Sequence, residues 1–99
     1  MTVNVAVITG GASGIGEATA RRFVQAGWSV VIGDSNQNRG NAVCQELGPT
    51  TAFLELDVSS EADVRRFHSD VCKIHHRIDA VINSAGILQN PVHLEDLDM

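Results

Sequence analysis

Residues 3–16 read V-N-V-A-V-I-T-G-G-A-S-G-I-G, an apolar run followed by a glycine-rich segment. Its first part, Val3–Ile8, is rich in β-branched and apolar residues, which predicts a strand buried on both faces. Its second part is rich in glycine, which lets the backbone turn sharply and adopt positive φ. The stretch therefore predicts a buried strand that turns tightly into the next element.

Beyond residue 16, stretches of helical periodicity alternate with apolar runs of strand length. The helical stripes are Ile15, Ala18, Phe23 and Ala26 before Gly27, then Val43 and Leu47 before Gly48-Pro49, then Val64, Phe67, Val71 and Ile74. Ser35 or Asn36 can cap the second helix, and Ser60-x-x-Asp63 resembles a capping box for the third. The other strands are predicted at Trp28–Gly33, Thr51–Asp57 and Ile78–Asn83, and His93–Met99 could begin a further helix.

The resulting order β-α-β-α-β-α-β predicts the fold class. Strands that alternate with helices pair in parallel through right-handed crossovers. We therefore expect an α/β protein with a Rossmann-like, doubly wound parallel sheet and the strand order 3-2-1-4.

Composition excludes several classes of function. The chain has 99 residues and a net charge of −5, which argues against a general binder of nucleic-acid backbones. No apolar run is long enough to span a membrane, and no leader of signal-peptide type is present at the N-terminus. Two cysteines cannot build a disulfide framework, so a reduced, cytoplasmic setting is expected.

The glycine-rich turn at 10–16 carries the first chemical signal. Free N–H groups at a helix start, together with the positive end of the helix dipole, favour a pyrophosphate. The spacing here is G-x-x-x-G-x-G; the pattern G-x-G-x-x-G is not satisfied, and no lysine follows as in a P-loop. The turn therefore indicates a dinucleotide site more strongly by its place between strand and helix than by its spacing.

Asp34 supports this interpretation. It ends the second predicted strand, 18 residues after Gly16, close to the spacing of a carboxylate that accepts hydrogen bonds from an adenosine ribose. Such a carboxylate repels the 2′-phosphate of NADP, and Arg39, which could neutralise that phosphate, is predicted to face solvent. NAD is therefore favoured over NADP. Taken alone, Asp34 could equally be a helix-capping acid.

Two further segments follow strands of the predicted parallel sheet, at the edge where such sheets bind ligands. After the third strand, the Asp57 carboxylate can accept from an adenine amino group and the Val58 amide can donate to a ring nitrogen. After the fourth, Asn83 can tie the first and fourth strands together, while Ala85 and Gly86 leave room for a ligand. Taken alone, Asp57 could instead cap the next helix.

Together, T-G-G-A-S-G-I-G at 9–16, Asp34, D-V at 57–58 and N-S-A-G at 83–86 resemble the short-chain dehydrogenase/reductase family over nearly the whole chain. The resemblance implies an NAD(P)-dependent oxidoreductase that acts on a small-molecule alcohol or ketone, usually as a homo-oligomer. It also implies the cofactor-binding residues, which are Gly10, Ser13, Gly14, Ile15, Gly16, Asp34 with the adjacent Ser35, Asp57, Val58, Asn83, Ala85 and Gly86.

Two positions depart from the family pattern. The usual N-N-A-G is N-S-A-G here, a mild change because Ser84 can still hydrogen-bond locally. The usual aromatic-glycine pair before the fourth strand is His75-His76, and histidine tolerates positive φ better than a β-branched residue does.

The family's catalysis uses a serine, a tyrosine and a lysine in a Tyr-x-x-x-Lys arrangement, with an assisting asparagine. This chain has no tyrosine, and its only lysine is Lys73 on the third predicted helix. We therefore expect residues 1–99 to be the N-terminal, NAD-binding half of a Rossmann domain, without a catalytic residue and inactive alone.

Three other interpretations differ in class. His68, Cys72 and His75 recur at helical spacing and His76 follows, but such trios arise by chance, so we expect no metal site and only a semi-buried Cys72 beside solvated histidines. A receiver domain needs acids where residues 9–11 are Thr-Gly-Gly, so it is rejected. A non-catalytic dinucleotide sensor, or a subunit completed by another chain, remains the alternative to an enzyme.

Overall fold

The computed structural model describes residues 3–12 and 14–84. Within them the predicted order of elements is confirmed: β1 (Val5–Thr9), α1 (Gly14–Gln25), β2 (Ser29–Asp34), α2 (Gln37–Leu47), β3 (Thr51–Glu55), α3 (Glu61–Ile74) and β4 (Ala80–Asn83). Strand bounds differ from the prediction by at most two residues. Ser13, Ala85, Gly86 and the helix that could begin at His93–Met99 lie outside the described residues.

The described strands form one parallel sheet in the order β3-β2-β1-β4, as predicted. Val7 of β1 pairs with Val31 of β2 on one side and with Val81 of β4 on the other. The carboxyl ends of the four described strands therefore meet at one edge of the sheet.

Consecutive residues of the two central strands pack on opposite faces of the sheet, because side chains alternate along a strand. On one face, Val7 and Val31 form a core cluster with α3, through Phe67 and Val71. On the other face, the cluster of α1 and α2 contains Ile8, Ala20, Val30, Ile32 and Val43. Two covered faces explain why β1 and β2 are continuous apolar runs rather than alternating ones.

The predicted apolar stripe of α1 is confirmed only at Phe23, which is half-buried and packs against the core. Ile15 is 58% exposed, and Ala18 and Ala26 are also exposed. Besides Phe23, the helix turns three positions toward the sheet that were not predicted, which are Gly16, Ala20 and Val24. The stripe fails because α1 begins so close to the glycine-rich turn that only a residue without a side chain fits at its first inward position.

The stripe of α3 is confirmed in its middle and wrong at its ends. Phe67 and Val71 are buried, whereas Val64 and Ile74 are 41% and 46% exposed. Val64 borders an apolar cavity of about 160 Å³ between α3 and β4, opposite Val81. Ile74 is the last residue of the helix, where the chain turns away from the packed face.

The caps resolve two open points. Asn36, not Ser35, caps α2, since its side chain accepts from the N–H of Arg39. Ser60 caps α3 by accepting from the N–H of Asp63 at 3.2 Å, which is one half of the predicted capping box. The other half is absent, because the carboxylate of Asp63 bonds the N–H of Asp57 instead.

Within residues 3–12 and 14–84, no helix combines the length and apolar character that crossing a bilayer requires.

Asp79 gives the fold a defined acid sensitivity. Its Oδ2 accepts from the N–H of Val5 at 2.8 Å, so it fastens the start of β1 to the segment before β4. The Arg77 guanidinium, followed by that Val5 N–H, holds the pKa of the Asp79 carboxyl below its ordinary value of 3.8. A pKa that is lower in the folded state contributes stability above pH 3.8, and that contribution is lost as the pH falls through the folded-state pKa.

We therefore expect the urea midpoint of the wild-type chain to fall as the pH drops below 3.8, and Asp79→Asn to lose part of this dependence. Asp70→Asn, which removes the same charge from the surface of α3, is the matched control. Identical midpoint-against-pH curves for the wild type and Asp79→Asn would contradict this role.

Candidate functional site

A cavity of about 280 Å³ opens at the carboxyl edge of the sheet, where the predicted ligand residues converge. Five predicted residues line it: Gly10, Asp34, Ser35, Asp57 and Val58. Gly33, Leu56 and Ser84 complete the wall. Topology therefore brings together residues from the ends of β1, β2, β3 and β4 that are up to 74 positions apart in the chain.

The glycine-rich turn forms one side of this cavity and leads into α1. Gly10 and Gly14 have positive φ values of 75° and 58°, which an L-side chain rarely adopts. A Cβ on Gly14 would meet no atom within 4 Å, so the surface at the start of α1 is open. The first N–H groups of a helix lack partners within it, and an anion is favoured at such a helix start.

Gly16 fulfils a steric requirement of the turn. A Cβ at this position would lie 2.1 Å from the carbonyl oxygen of Gly10 and 2.5 Å from Oγ of Ser84. Gly16 is helical and its φ is not positive, so its requirement for glycine is one of space alone. Four other predicted site residues do not line the cavity, which are Gly14, Ile15, Gly16 and Asn83. Ile15 is exposed.

Asp34 connects the end of β2 to the glycine-rich turn. Its Oδ2 accepts from the N–H of Ala12 at 3.1 Å, and its Oδ1 accepts from the N–H of Asn36 at 2.9 Å. A carboxylate offers about four lone-pair sites, so both oxygens can accept further hydrogen bonds from a ligand. The structure thus places a carboxylate in the cavity wall, beside the glycine-rich turn.

Arg39 is exposed, as predicted, but it also bonds to the glycine-rich turn and to α1, which the prediction did not include. Its Nε donates to the carbonyl oxygen of Ala12 at 2.9 Å, and its Nη2 pairs with Glu17 of α1. The side chain is still 45% exposed, so the guanidinium lies at the surface of the turn. The periodicity of α2 could not show this, because the reach of a long side chain depends on how the helix packs.

The segment after β3 is held by α3. The N–H of Asp57 donates to Oδ2 of Asp63 at 2.7 Å, and Oδ1 of Asp57 accepts from both the N–H and the hydroxyl of Ser59. This Asp57 N–H, followed by the guanidinium of Arg66, holds the pKa of the Asp63 carboxyl below its usual value. The Asp57 carboxylate and the exposed Val58 remain at the cavity wall.

The end of β4 is fastened to the end of β1. Oδ1 of Asn83 accepts from the hydroxyl of Thr9 at 2.9 Å, which confirms that Asn83 ties the two strands together. Ser84 Oγ lies 2.6 Å from the carbonyl oxygen of Thr9 and 3.0 Å from that of Gly10. Ser84 was predicted only to hydrogen-bond locally, although its place after a parallel strand could have marked it as a site residue.

Cys72 and the nearby histidines of α3 and the segment after it were considered as a metal site. Sγ of Cys72 lies 3.8 Å from Nε2 of His68, and both residues are exposed, so the prediction of a semi-buried Cys72 is wrong. His75 caps the helix with extended backbone, and His76 has no positive φ, so the condition considered for it does not arise. Within the described residues, no group of three or more such side chains could hold a metal ion.

The short-chain dehydrogenase family model matches residues 4–99 of this chain. The chain belongs to that family. Among its relatives, the L-fucose dehydrogenase of Bos taurus is 45% identical over 82 residues, which cover 83% of this chain and 30% of the bovine enzyme. The sex determination protein tasselseed-2 of Zea mays is 46% identical over 85 residues, or 85% of this chain and 25% of the maize protein.

A solved short-chain dehydrogenase relative shares the fold. The 3-ketoacyl-(acyl-carrier-protein) reductase from Brucella melitensis, determined as a complex with NADH, superposes with a TM-score of 0.76 at 35% identity. The match covers 79% of this chain and 32% of the reductase. This chain thus spans about a third or less of the length of these three relatives.

Proposed function

We propose that this chain binds the adenosine half of NAD, in preference to NADP, as the cofactor-binding part of an oxidoreductase. One observation carries the proposal: the Asp34 carboxylate lies in the wall of the cavity and is bonded to the N–H of Ala12 in the glycine-rich turn. A ribose at this carboxylate and a pyrophosphate at the start of α1 would be neighbours, as the two are in the dinucleotide itself.

The residues fit this cofactor on steric grounds. The turn comes so close to α1 that a Cβ at Gly16 is excluded, and a Cβ at Gly11 would lie 2.8 Å from Ile32. This close packing fixes the backbone and leaves its open side, at Gly14, free of side chains. When bound, the nicotinamide ring supplies the hydride donor or acceptor.

Each described site residue has a defined part in this proposal. The N–H groups at the start of α1, among them those of Ile15 and Gly16, face the pyrophosphate, and Asp34 with Ser35 faces the ribose. Asp57 and Val58 offer an acceptor and a backbone donor to the adenine. Asn83 acts on the end of β1, which it holds through Thr9.

The proposal extends to the whole protein through the family. We propose that the whole protein is a homo-oligomeric, cytoplasmic enzyme that transfers hydride between NAD and a small-molecule alcohol or ketone. Residues 1–99 are then the N-terminal half of its Rossmann domain. The serine, tyrosine and lysine that this family uses for proton transfer then come from a part of the protein outside residues 1–99.

Asp34→Asn tests the cofactor assignment. The change removes the charge and preserves the size, so we expect binding of NAD⁺ to weaken about tenfold or more, since hydrogen bonds to charged groups contribute roughly 1.5–3 kcal/mol. Binding of NADP⁺ is expected to strengthen or stay level, because the repulsion of its 2′-phosphate is removed. Calorimetric titration of both nucleotides measures the two affinities.

Glu55→Gln is the matched control, because Glu55 is the partner of Asp34 in the β2–β3 register and is exposed outside the cavity wall. Glu55→Gln removes one charge from the same edge of the sheet, and we expect it to leave the ratio of the NAD⁺ and NADP⁺ affinities unchanged. An unchanged ratio in Asp34→Asn as well would remove Asp34 from the ribose-binding role.

A further inference from the structure

The guanidinium of Arg39 and the carboxylate of Asp34 both bond to the backbone of Ala12, one at its carbonyl oxygen and the other at its N–H. Arg39 Nε donates to the carbonyl oxygen of Ala12, and Asp34 Oδ2 accepts from its N–H. Asn36 also joins them, since its N–H donates to Asp34 Oδ1 at 2.9 Å and its Oδ1 accepts from the N–H of Arg39 at 3.0 Å. The cation therefore lies next to the acid that the proposed function assigns to the ribose.

An arginine in this place is a ready partner for a phosphate. Guanidinium groups bind phosphate through paired, charge-assisted hydrogen bonds, and the 2′-phosphate of NADP would sit beside the ribose-binding acid. Arg39 is partly exposed, so a ligand can reach it. Taken without its neighbours, Arg39 would favour NADP, contrary to the effect of Asp34.

In the structure, the guanidinium of Arg39 is already paired with the carboxylate of Glu17. This carboxylate pairs with Nη2 of Arg39 and adds a second negative charge at the surface of the turn. Glu17 is itself only 18% exposed and also bonds Arg21 at 3.2 Å, which in turn pairs with Glu46 at 2.8 Å. A chain of ion pairs thus holds Glu17 on α1 in position against Arg39 on α2.

We propose that Glu17 is a second determinant of coenzyme choice, because it neutralises the one cation beside Asp34 among the residues that the structure describes at this turn. The inference rests on the proposed function and extends it. Asp34 repels the 2′-phosphate directly, and Glu17 withholds the arginine that would otherwise bind it.

Glu17→Gln tests this with the full chain and the two nucleotides NAD⁺ and NADP⁺, titrated by calorimetry. We expect NADP⁺ to bind about tenfold more tightly than it does to the wild type, a gain in line with one charge-assisted phosphate contact. The affinity for NAD⁺ is expected to stay within about twofold, since NAD has no 2′-phosphate for Arg39 to bind. Glu17→Ala, a second variant with a good helix former, is expected to shift NADP⁺ binding in the same direction.

Two controls distinguish the effect of the Glu17–Arg39 ion pair on NADP⁺ affinity from the effect of a change in net charge. Glu46→Gln removes the same charge from the same chain of ion pairs, but its carboxylate bonds Arg21 rather than Arg39, so it should change NADP⁺ affinity by less than about twofold. In an Arg39→Gln background, Glu17→Gln should give no gain for NADP⁺.

The outcomes distinguish this inference from the function on which it rests. A wild-type chain that binds NAD⁺, together with Glu17 variants whose NADP⁺ affinity is unchanged, would overturn the role of Glu17 alone. An equal gain in the Arg39→Gln background would also overturn it, since the effect would then be one of net charge. A wild-type chain that binds neither nucleotide would overturn the proposed function and the inference together.

Discussion

Gly16→Ala is expected to lower the free energy of unfolding by about 3 kcal/mol or more and to abolish binding of NAD⁺. The new Cβ would lie 2.1 Å from the backbone oxygen of Gly10 and 2.8 Å from its carbonyl carbon, and backbone atoms cannot move aside as a side chain can. Either α1 or the glycine-rich turn must shift, and both form the proposed pyrophosphate site.

Helix propensity alone predicts the opposite sign for this variant. Gly16 lies inside α1, where replacing glycine by alanine ordinarily stabilises a helix by about 1 kcal/mol. Gly14→Ala is an informative comparison, because a Cβ there meets nothing within 4 Å and only the positive φ opposes it, at roughly 1–2 kcal/mol. Urea unfolding of the three proteins ranks the two effects. A Gly16→Ala variant as stable as the wild type would contradict the close packing of the glycine-rich turn against α1.

Phe67→Ala is expected to cost about 3–5 kcal/mol of unfolding free energy. The ring is 5% exposed and packs in the core cluster with Val7, Val31, Leu56 and Val71. It also lies against Gly33, where an added Cβ would come within 2.7 Å of two ring carbons. Removing the ring therefore leaves a void directly beneath the strand end that carries Asp34.

Val64→Ala is the matched control for Phe67→Ala, since it shortens a side chain one turn earlier on α3 that is 41% exposed. Its expected cost is below about 1 kcal/mol. Chemical denaturation with equal slopes for the two variants makes their midpoints comparable. A Phe67→Ala midpoint within the range of the Val64→Ala midpoint would contradict the assigned core.

The sequence was sufficient to predict the sheet, because its information there is local and strong. The apolar runs around Val7 and Val31 are continuous, whereas a half-buried strand needs an apolar residue only at every second position. Each run is followed by residues that end a strand. Once parallel pairing is inferred, chain topology alone places Asp34 and Asp57 at one edge. Five of the predicted residues do line the cavity there.

Features that depend on distances between elements could not be predicted in this way. The inward face of α1 is set by how closely the glycine-rich turn approaches Gly16, which no periodicity records. The bond from Arg39 to Ala12 depends on the packing of α2 beside the turn. Asp63 satisfied the pattern of a capping box, yet its carboxylate bonds an N–H outside the helix because the segment after β3 passes within reach.

Counting donor protons at Ser84 explains why serine suffices where this family usually has asparagine. The carbonyl oxygens of Thr9 and Gly10 both lie within hydrogen-bond reach of Ser84. The backbone N–H of Ser84 donates to the Thr9 oxygen at 2.9 Å, and the hydroxyl lies 2.6 Å from that oxygen and 3.0 Å from the Gly10 oxygen. Because the N–H already bonds to Thr9, the single hydroxyl hydrogen can be donated to Gly10. One residue therefore supplies both protons, and exchanging an amide side chain for a hydroxyl leaves neither acceptor empty.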